Sequence, residues 1–125
     1  MFRILIVEDS RSYRESLKDI LDDGKFPGIL LEEAENCKDA MEKDASFRPD
    51  LIFMDIRLPD GSGLELTKKI KAMRPQVSVA MLTSHDGPEY REAVIRYGAS
   101  HYFTKGNATR EEIQDLVKSS ASGKR

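Results

Sequence analysis

Five residues of this chain have side chains that can combine into one piece of chemistry: Glu8, Asp9, Asp55, Thr83 and Lys105. Each follows a short apolar run. Ile4-Leu-Ile-Val7 runs into Glu8 and Asp9, Leu51-Ile-Phe-Met54 into Asp55, Val77 to Leu82 into Thr83 and Ser84, and His101-Tyr-Phe-Thr104 into Lys105. Unbroken apolar runs of this length suit strands buried on both faces of a parallel sheet, and parallel strands bring their carboxyl ends to one edge. In open α/β sheets, ligands collect beyond that edge. An Asp after a single apolar run equally begins a turn, and Pro59, Asp60, Gly61 and Gly63 do follow Asp55; it is the other strand ends that favour a working residue. Like charges ~4 Å apart repel by roughly 4 kcal/mol at an effective dielectric near 20, so three converging carboxylates call for a divalent cation. Oxygen-only ligands of this kind suit Mg²⁺. A metal, an exposed carboxylate, a hydroxyl and an ammonium are the parts needed to form and hydrolyse an acyl phosphate on Asp55, with Thr83 and Lys105 facing the anion's oxygens.

The elements that must position these residues alternate along the chain. Between the first two strands, Ser10 or Ser12 can cap a helix, Ser12 and Glu15 have capping-box spacing, and Tyr13, Leu17, Ile20 and Leu21 form its apolar stripe up to a stop at Gly24. Ile29 to Ala34, carrying Glu32 and Glu33, has the polarity of an edge strand. A weak helix passes through Cys37, Ala40 and Met41. A third, marked by Leu66, Ile70 and Met73, must end before Pro75. Tyr90, Ala93, Val94 and Tyr97 mark a fourth, closed by Gly98, and Thr109 with Glu112 boxes the start of a fifth. Five strands alternating with five helices predict an α/β fold, a three-layer sandwich around a five-stranded parallel sheet of order 2-1-3-4-5.

The 125 residues, 39% of them apolar, allow one domain with a real core. A formal charge of −2 from 20 basic and 22 acidic residues leaves no basic field, so direct nucleic-acid binding by this chain is not expected. The lone Cys37 excludes an internal disulfide and is read as a packing residue. The first apolar run meets acid too soon for a secretory signal and no run is long enough to span a membrane, so the expected location is the cytoplasm. The last stretch, Ser119 to Arg125, is small and polar and reads as a linker, an expression remnant or a frayed end.

The acidic pair after strand one, the run Asp55-Ile-Arg-Leu-Pro-Asp-Gly-Ser-Gly63, Thr83 after strand four and Lys105 after strand five together resemble a response-regulator receiver domain of two-component signalling. The resemblance covers Met1 to about Lys118. It implies a flavodoxin-like fold, with Asp55 as phosphoacceptor and Mg²⁺ held by Glu8, Asp9, Asp55 and the main-chain carbonyl of Arg57. Thr83 is implied to bind the phosphoryl group, Lys105 to pair with it, and Tyr102 to change rotamer with Thr83. The phosphoryl group is implied to come from a sensor histidine kinase or phosphotransfer protein. Output is implied through a surface near the fourth helix and fifth strand, to an unidentified partner or output domain or through phosphorylation-dependent homodimerisation. Receivers usually follow this lysine with a cis proline; Gly106 stands here, and a cis bond before it would cost ~2.5 to 4 kcal/mol, so a trans bond and a looser loop are expected.

Other residues have blander readings. His85 and His101 are too few for a zinc centre and read as surface or packing groups, although His85, two residues after Thr83, stands where receivers often place a side chain that modulates water attack. Asn107-Ala-Thr109 fits a glycosylation sequon, but helix capping explains Thr109 better. Of the competing functions, an aspartyl-nucleophile phosphatase of the haloacid-dehalogenase kind needs Asp-x-Asp after strand one, where Glu8-Asp9 stands. A flavin-binding relative needs a phosphate loop there, and the two acids would repel that phosphate. A receiver-shaped module that no longer accepts phosphate is disfavoured by the complete set of site residues.

Overall fold

The computed structural model of the chain describes residues 2–22, 26, 28–84 and 88–123. In chain order the elements are β1 (Phe2–Val7), α1 (Arg11–Leu21), β2 (Ile29–Ala34), α2 (Cys37–Phe47), β3 (Leu51–Asp55), β4 (Arg57–Leu58), β5 (Gly61–Ser62), α3 (Gly63–Met73), β6 (Ser78–Thr83), α4 (Pro88–Arg96), β7 (His101–Thr104) and α5 (Arg110–Ser122). Five strands form a parallel sheet in the order β2-β1-β3-β6-β7, which is the expected 2-1-3-4-5 arrangement once the antiparallel hairpin of β4 and β5 is set aside. That hairpin was not anticipated; it turns at Pro59 and Asp60 to fold the chain back before α3.

The strands β1, β3 and β6 are central because they are almost wholly apolar and buried on both faces, whereas β2 and β7 are half exposed and sit at the edges. Alternate side chains sort into two cores. Leu5, Val7, Ile52, Met54, Val79 and Met81 face α2, α3 and α4, packing on Ala40, Leu66, Ile70 and Val94. Ile4, Ile6, Leu51, Phe53, Ala80 and Leu82 face α1 and α5, packing on Leu17, Leu21, Ile113 and Leu116.

Local signals set most helix ends. Thr109 and Glu112 form the expected capping box of α5, and Gly98, at φ +103°, takes the left-handed turn after α4. The start of α1 differs from expectation. Ser10, not Ser12, is the N-cap, accepting from Tyr13 N–H at 3.3 Å, and Ser12 lies inside the first turn with its hydroxyl 3.2 Å from that of Ser10. The Gly24 stop lies outside the described residues. α5 runs through Ser122, with Ala121 against the core, so the polar stretch from Ser119 begins as helix.

Candidate functional site

The two-residue period of the strands places the site residues. Glu8 continues the row Ile4, Ile6; Asp55 continues Leu51, Phe53; Lys105 continues Phe103. All three extend rows that face α1 and α5. Ile6 is level with Phe53, so Glu8 falls level with Asp55 one pleat further on. Lys105 N–H donates to Thr83 O at 2.8 Å, which carries the β6–β7 ladder past the last strand residue. Thr83 belongs to the other row, after Val79 and Met81, and so shares the α2–α4 face with Tyr102, whose register partner is Met81.

The carboxylate oxygens of Glu8, Asp9 and Asp55 come within 4.8 Å of one another. Glu8 is fully buried and Asp55 is 7% exposed, while Asp9 is open to solvent. Lys105 Nζ ion-pairs with Glu8 and lies 3.2 Å from Asp55 Oδ2, so one ammonium is shared by two carboxylates. Glu8 Oε2 accepts from Ser10 N–H at 3.0 Å. Its Oε1 is sequestered and, apart from that ion pair, lacks a well-formed hydrogen bond among the described residues. Burial pushes the Glu8 carboxyl up to about 7, against the opposing pull of Lys105 and Ser10 N–H. Burial would also lower the Lys105 pKa, but Glu8 and Asp55 more than reverse this and leave it above its ordinary value. Three carboxylates gathered at one sheet edge, one fully buried and one open to solvent, form an oxygen-only donor set that fits a hard divalent cation such as Mg²⁺.

Of the remaining expected residues, Arg57 opens β4 and its N–H donates to Asp55 Oδ1 at 3.3 Å. Thr83 is 3% exposed at the end of β6. Tyr102 is half-buried with the Arg91 guanidinium 5.6 Å from its ring centroid. His85 lies outside the described residues. The Lys105-Gly106 bond is trans, as expected without proline. The loop after it is closed by Asn107 and Ala108 N–H groups on Thr104 O. Lys105 also lines a cleft of about 380 Å³ with Ser10, Ser12, Tyr13, Ser16 and Ser84.

Three residues escaped sequence reasoning. Arg14, 7% exposed, donates to the carbonyls of Glu8 (2.7 Å) and Asp9 (3.3 Å) and to the carboxylates of Glu33 (3.0 Å) and Glu35 (3.3 Å). It thereby fastens the acidic loop to α1 and β2. Its signal was its spacing, since residues 14, 17 and 21 fall on one helical stripe and a charge there must be paired inside. Asp60 accepts from the N–H groups of Cys37 (2.7 Å) and Lys38 (3.1 Å), capping α2 from the hairpin, and those bonds hold its carboxyl below the usual range. Gly63 does not serve a turn: a Cβ there would lie 1.9 Å from the Asp55 carbonyl oxygen.

Residues 4–118 match the family of the response regulator receiver domain. This chain belongs to that family. The receiver is 30% identical over 125 residues to the uncharacterised transcriptional regulatory protein YesN of Bacillus subtilis, covering all of this chain and 34% of the relative. It is 34% identical over 109 residues to response regulator MprA of Mycolicibacterium vanbaalenii, covering 87% of this chain and 46% of the relative. The receiver thus spans less than half the length of these curated relatives. Among solved structures it is similar to a two-component response regulator from Clostridium difficile (TM-score 0.88, 28% identity, 98% of both chains). It is also similar to a CheY-like receiver domain protein from Methanospirillum hungatei (TM-score 0.85, 29% identity, 98% of this chain and 94% of that one). The receiver therefore has the flavodoxin-like fold and serves two-component signalling, and none of its described helices is long and apolar enough to cross a membrane.

Proposed function

We propose that this receiver accepts a phosphoryl group on Asp55 from a sensor histidine kinase or phosphotransfer protein. The reading rests on one observation above all: the Asp55 carboxylate stands at the end of the central strand, grouped with Glu8 and Asp9 and within 3.2 Å of the Lys105 ammonium. An Asp55 carboxylate oxygen attacks phosphorus, the P–N bond of the donor phosphohistidine breaks, and its electron pair returns to the ring nitrogen. Hydrolysis runs as water attack on the same phosphorus, releasing inorganic phosphate and restoring the carboxylate. Glu8, Asp9, Asp55 and the Arg57 carbonyl would hold Mg²⁺, which would neutralise the crowded negative charge. Lys105 balances charge on the phosphoryl oxygens, the Thr83 hydroxyl donates to one of them, and Arg57 N–H orients the Asp55 carboxylate.

Phosphorylation replaces one negative charge by roughly two and adds acceptor oxygens. Thr83 shares a sheet face with Tyr102, so drawing Thr83 toward the phosphoryl group alters the space open to that ring. The output is then a changed surface at β7 and α4, read by a partner, by an output domain or by a second copy of the chain. Incubation with acetyl phosphate and Mg²⁺ should add one phosphoryl mass to the protein. EDTA should abolish the addition, as should Asp55→Asn; equal labelling of the Asn variant would refute the assignment.

A further inference from the structure

We propose that Tyr13 is a positioning residue for Lys105, its ring face fixing the ammonium that proline geometry would otherwise help to place; the inference rests on the phosphoacceptor reading of Asp55. Lys105 Nζ lies 4.9 Å from the Tyr13 ring centroid while also pairing with Glu8 and Asp55. The ammonium is thus held on one side by two carboxylates and on another by the negative face of an aromatic ring. A lysine side chain is long and rotates freely, so two carboxylates alone leave it several ways to make contact. The residue after it adds no side-chain constraint. Gly106 has no side chain, and among the described residues nothing beyond its chain neighbours lies within 4 Å of where its Cβ would be.

The turn of α1 that carries the ring is well anchored. Tyr13 N–H donates to the N-cap Ser10 hydroxyl, and Ser10 N–H in turn donates to Glu8 Oε2, so the backbone that carries the ring is tied to the acid through one residue. Tyr13 also packs against the core formed under α1 and α5 and lines the same cleft as Lys105. Packing alone requires only an apolar side chain at this position; the lysine requires a ring with a negative face.

The test separates these two demands. Phosphorylation of Asp55 by acetyl phosphate is followed by mass, and the Lys105 Cε protons are followed by NMR, in wild type and in Tyr13→Phe, Tyr13→Leu and a variant carrying pentafluorophenylalanine at position 13. In wild type the Lys105 Cε protons should lie upfield of other lysines, through the ring current. Tyr13→Leu and the fluorinated ring should slow phosphorylation by roughly three- to thirtyfold at saturating Mg²⁺. Tyr13→Phe should rescue the rate and keep the upfield shift. The fluorinated ring keeps the planar aromatic shape while reversing the charge of its face, so it decides the matter even where Tyr13→Leu does not fold. An unshifted lysine in wild type, a fluorinated variant as fast as wild type, or a Phe variant as slow as the fluorinated one overturns the inference. Failure of wild type itself to take up phosphate would instead overturn the phosphoacceptor reading.

Discussion

Glu8 and Lys105 form an ion pair in which the carboxylate is wholly closed to solvent and the ammonium also reaches Asp55. Even with that partner, burial holds the Glu8 carboxyl up to about 7, against 4.5 in an unfolded chain. Between those values the folded protein binds a proton that the unfolded chain has released. Stability therefore falls as pH rises from about 4.5 to 7 and levels off above, by on the order of 3 kcal/mol from this group. Urea midpoints in EDTA should accordingly drop for wild type relative to Glu8→Gln between pH 5 and pH 8. Mg²⁺ at pH 8 should recover the wild-type loss and leave Glu8→Gln unchanged. Parallel pH profiles for the two proteins would show that Glu8 is not the group responsible.

Gly63→Ala and Gly106→Ala should behave oppositely. The first places a Cβ against the Asp55 backbone, where nothing can rotate away, and should cost about 1 to 3 kcal/mol or more while displacing the acceptor and slowing its phosphorylation. The second meets nothing within 4 Å among the described residues beyond its chain neighbours and needs no left-handed backbone, so it should leave stability unchanged or raise it by about 0.4 to 1 kcal/mol. Thermal melts and acetyl phosphate labelling of both variants check the pair.

Arg14→Met should destabilise the protein by roughly 2 to 4 kcal/mol, because the Glu8 and Asp9 carbonyls and the Glu33 carboxylate lose a shared, nearly buried donor. Arg14→Lys should recover only part of this. One ammonium cannot reproduce a fork that reaches carbonyls on one side and two carboxylates on the other. Mg²⁺ titration should show weaker binding in both variants, since the loop bearing Glu8 and Asp9 is no longer tied to β2. Unchanged Mg²⁺ affinity in a folded Arg14→Met protein would mean that the arginine serves the fold alone.

The strand ends were legible because a parallel sheet converts an apolar run followed by a polar residue into a place on one edge. That logic found Glu8, Asp55, Thr83 and Lys105 and the order of the strands. What stayed hidden depends on contacts between distant segments. Ser10 and Ser12 are equivalent as local caps, and the choice follows from Glu8, whose carboxylate takes the Ser10 N–H. Asp60 reads as a turn residue until the hairpin swings it onto α2, 22 and 23 residues earlier in the chain. Gly63 looks like flexible turn chemistry, whereas its need is the closeness of the Asp55 carbonyl. The trans bond before Gly106 was predictable from the missing proline, but the ring that faces Lys105 was read only as part of an apolar stripe.

Phosphorylation should move the amide signals of Thr83, Tyr102 and α4 without completing a switch on its own. A hydrogen bond from Thr83 to a charged phosphoryl oxygen contributes about 1.5 to 3 kcal/mol. Shifting a population from 1:99 to 99:1 takes about 5.5 kcal/mol. The resting position of Tyr102 also has a hold of its own, since Arg91 from α4 stands 5.6 Å over its ring. An exposed cation–π contact of this kind adds about 0.5 to 1 kcal/mol against movement. Phosphorylated protein alone should therefore show fast averaging between two states, and a partner should be needed to populate one fully. Thr83→Ala should still accept phosphate yet shift these amides less, and Arg91→Ala should shift them further toward the phosphorylated position. If Asp55 is fully modified and the amides of Tyr102 and α4 do not move, the output surface lies elsewhere on the receiver.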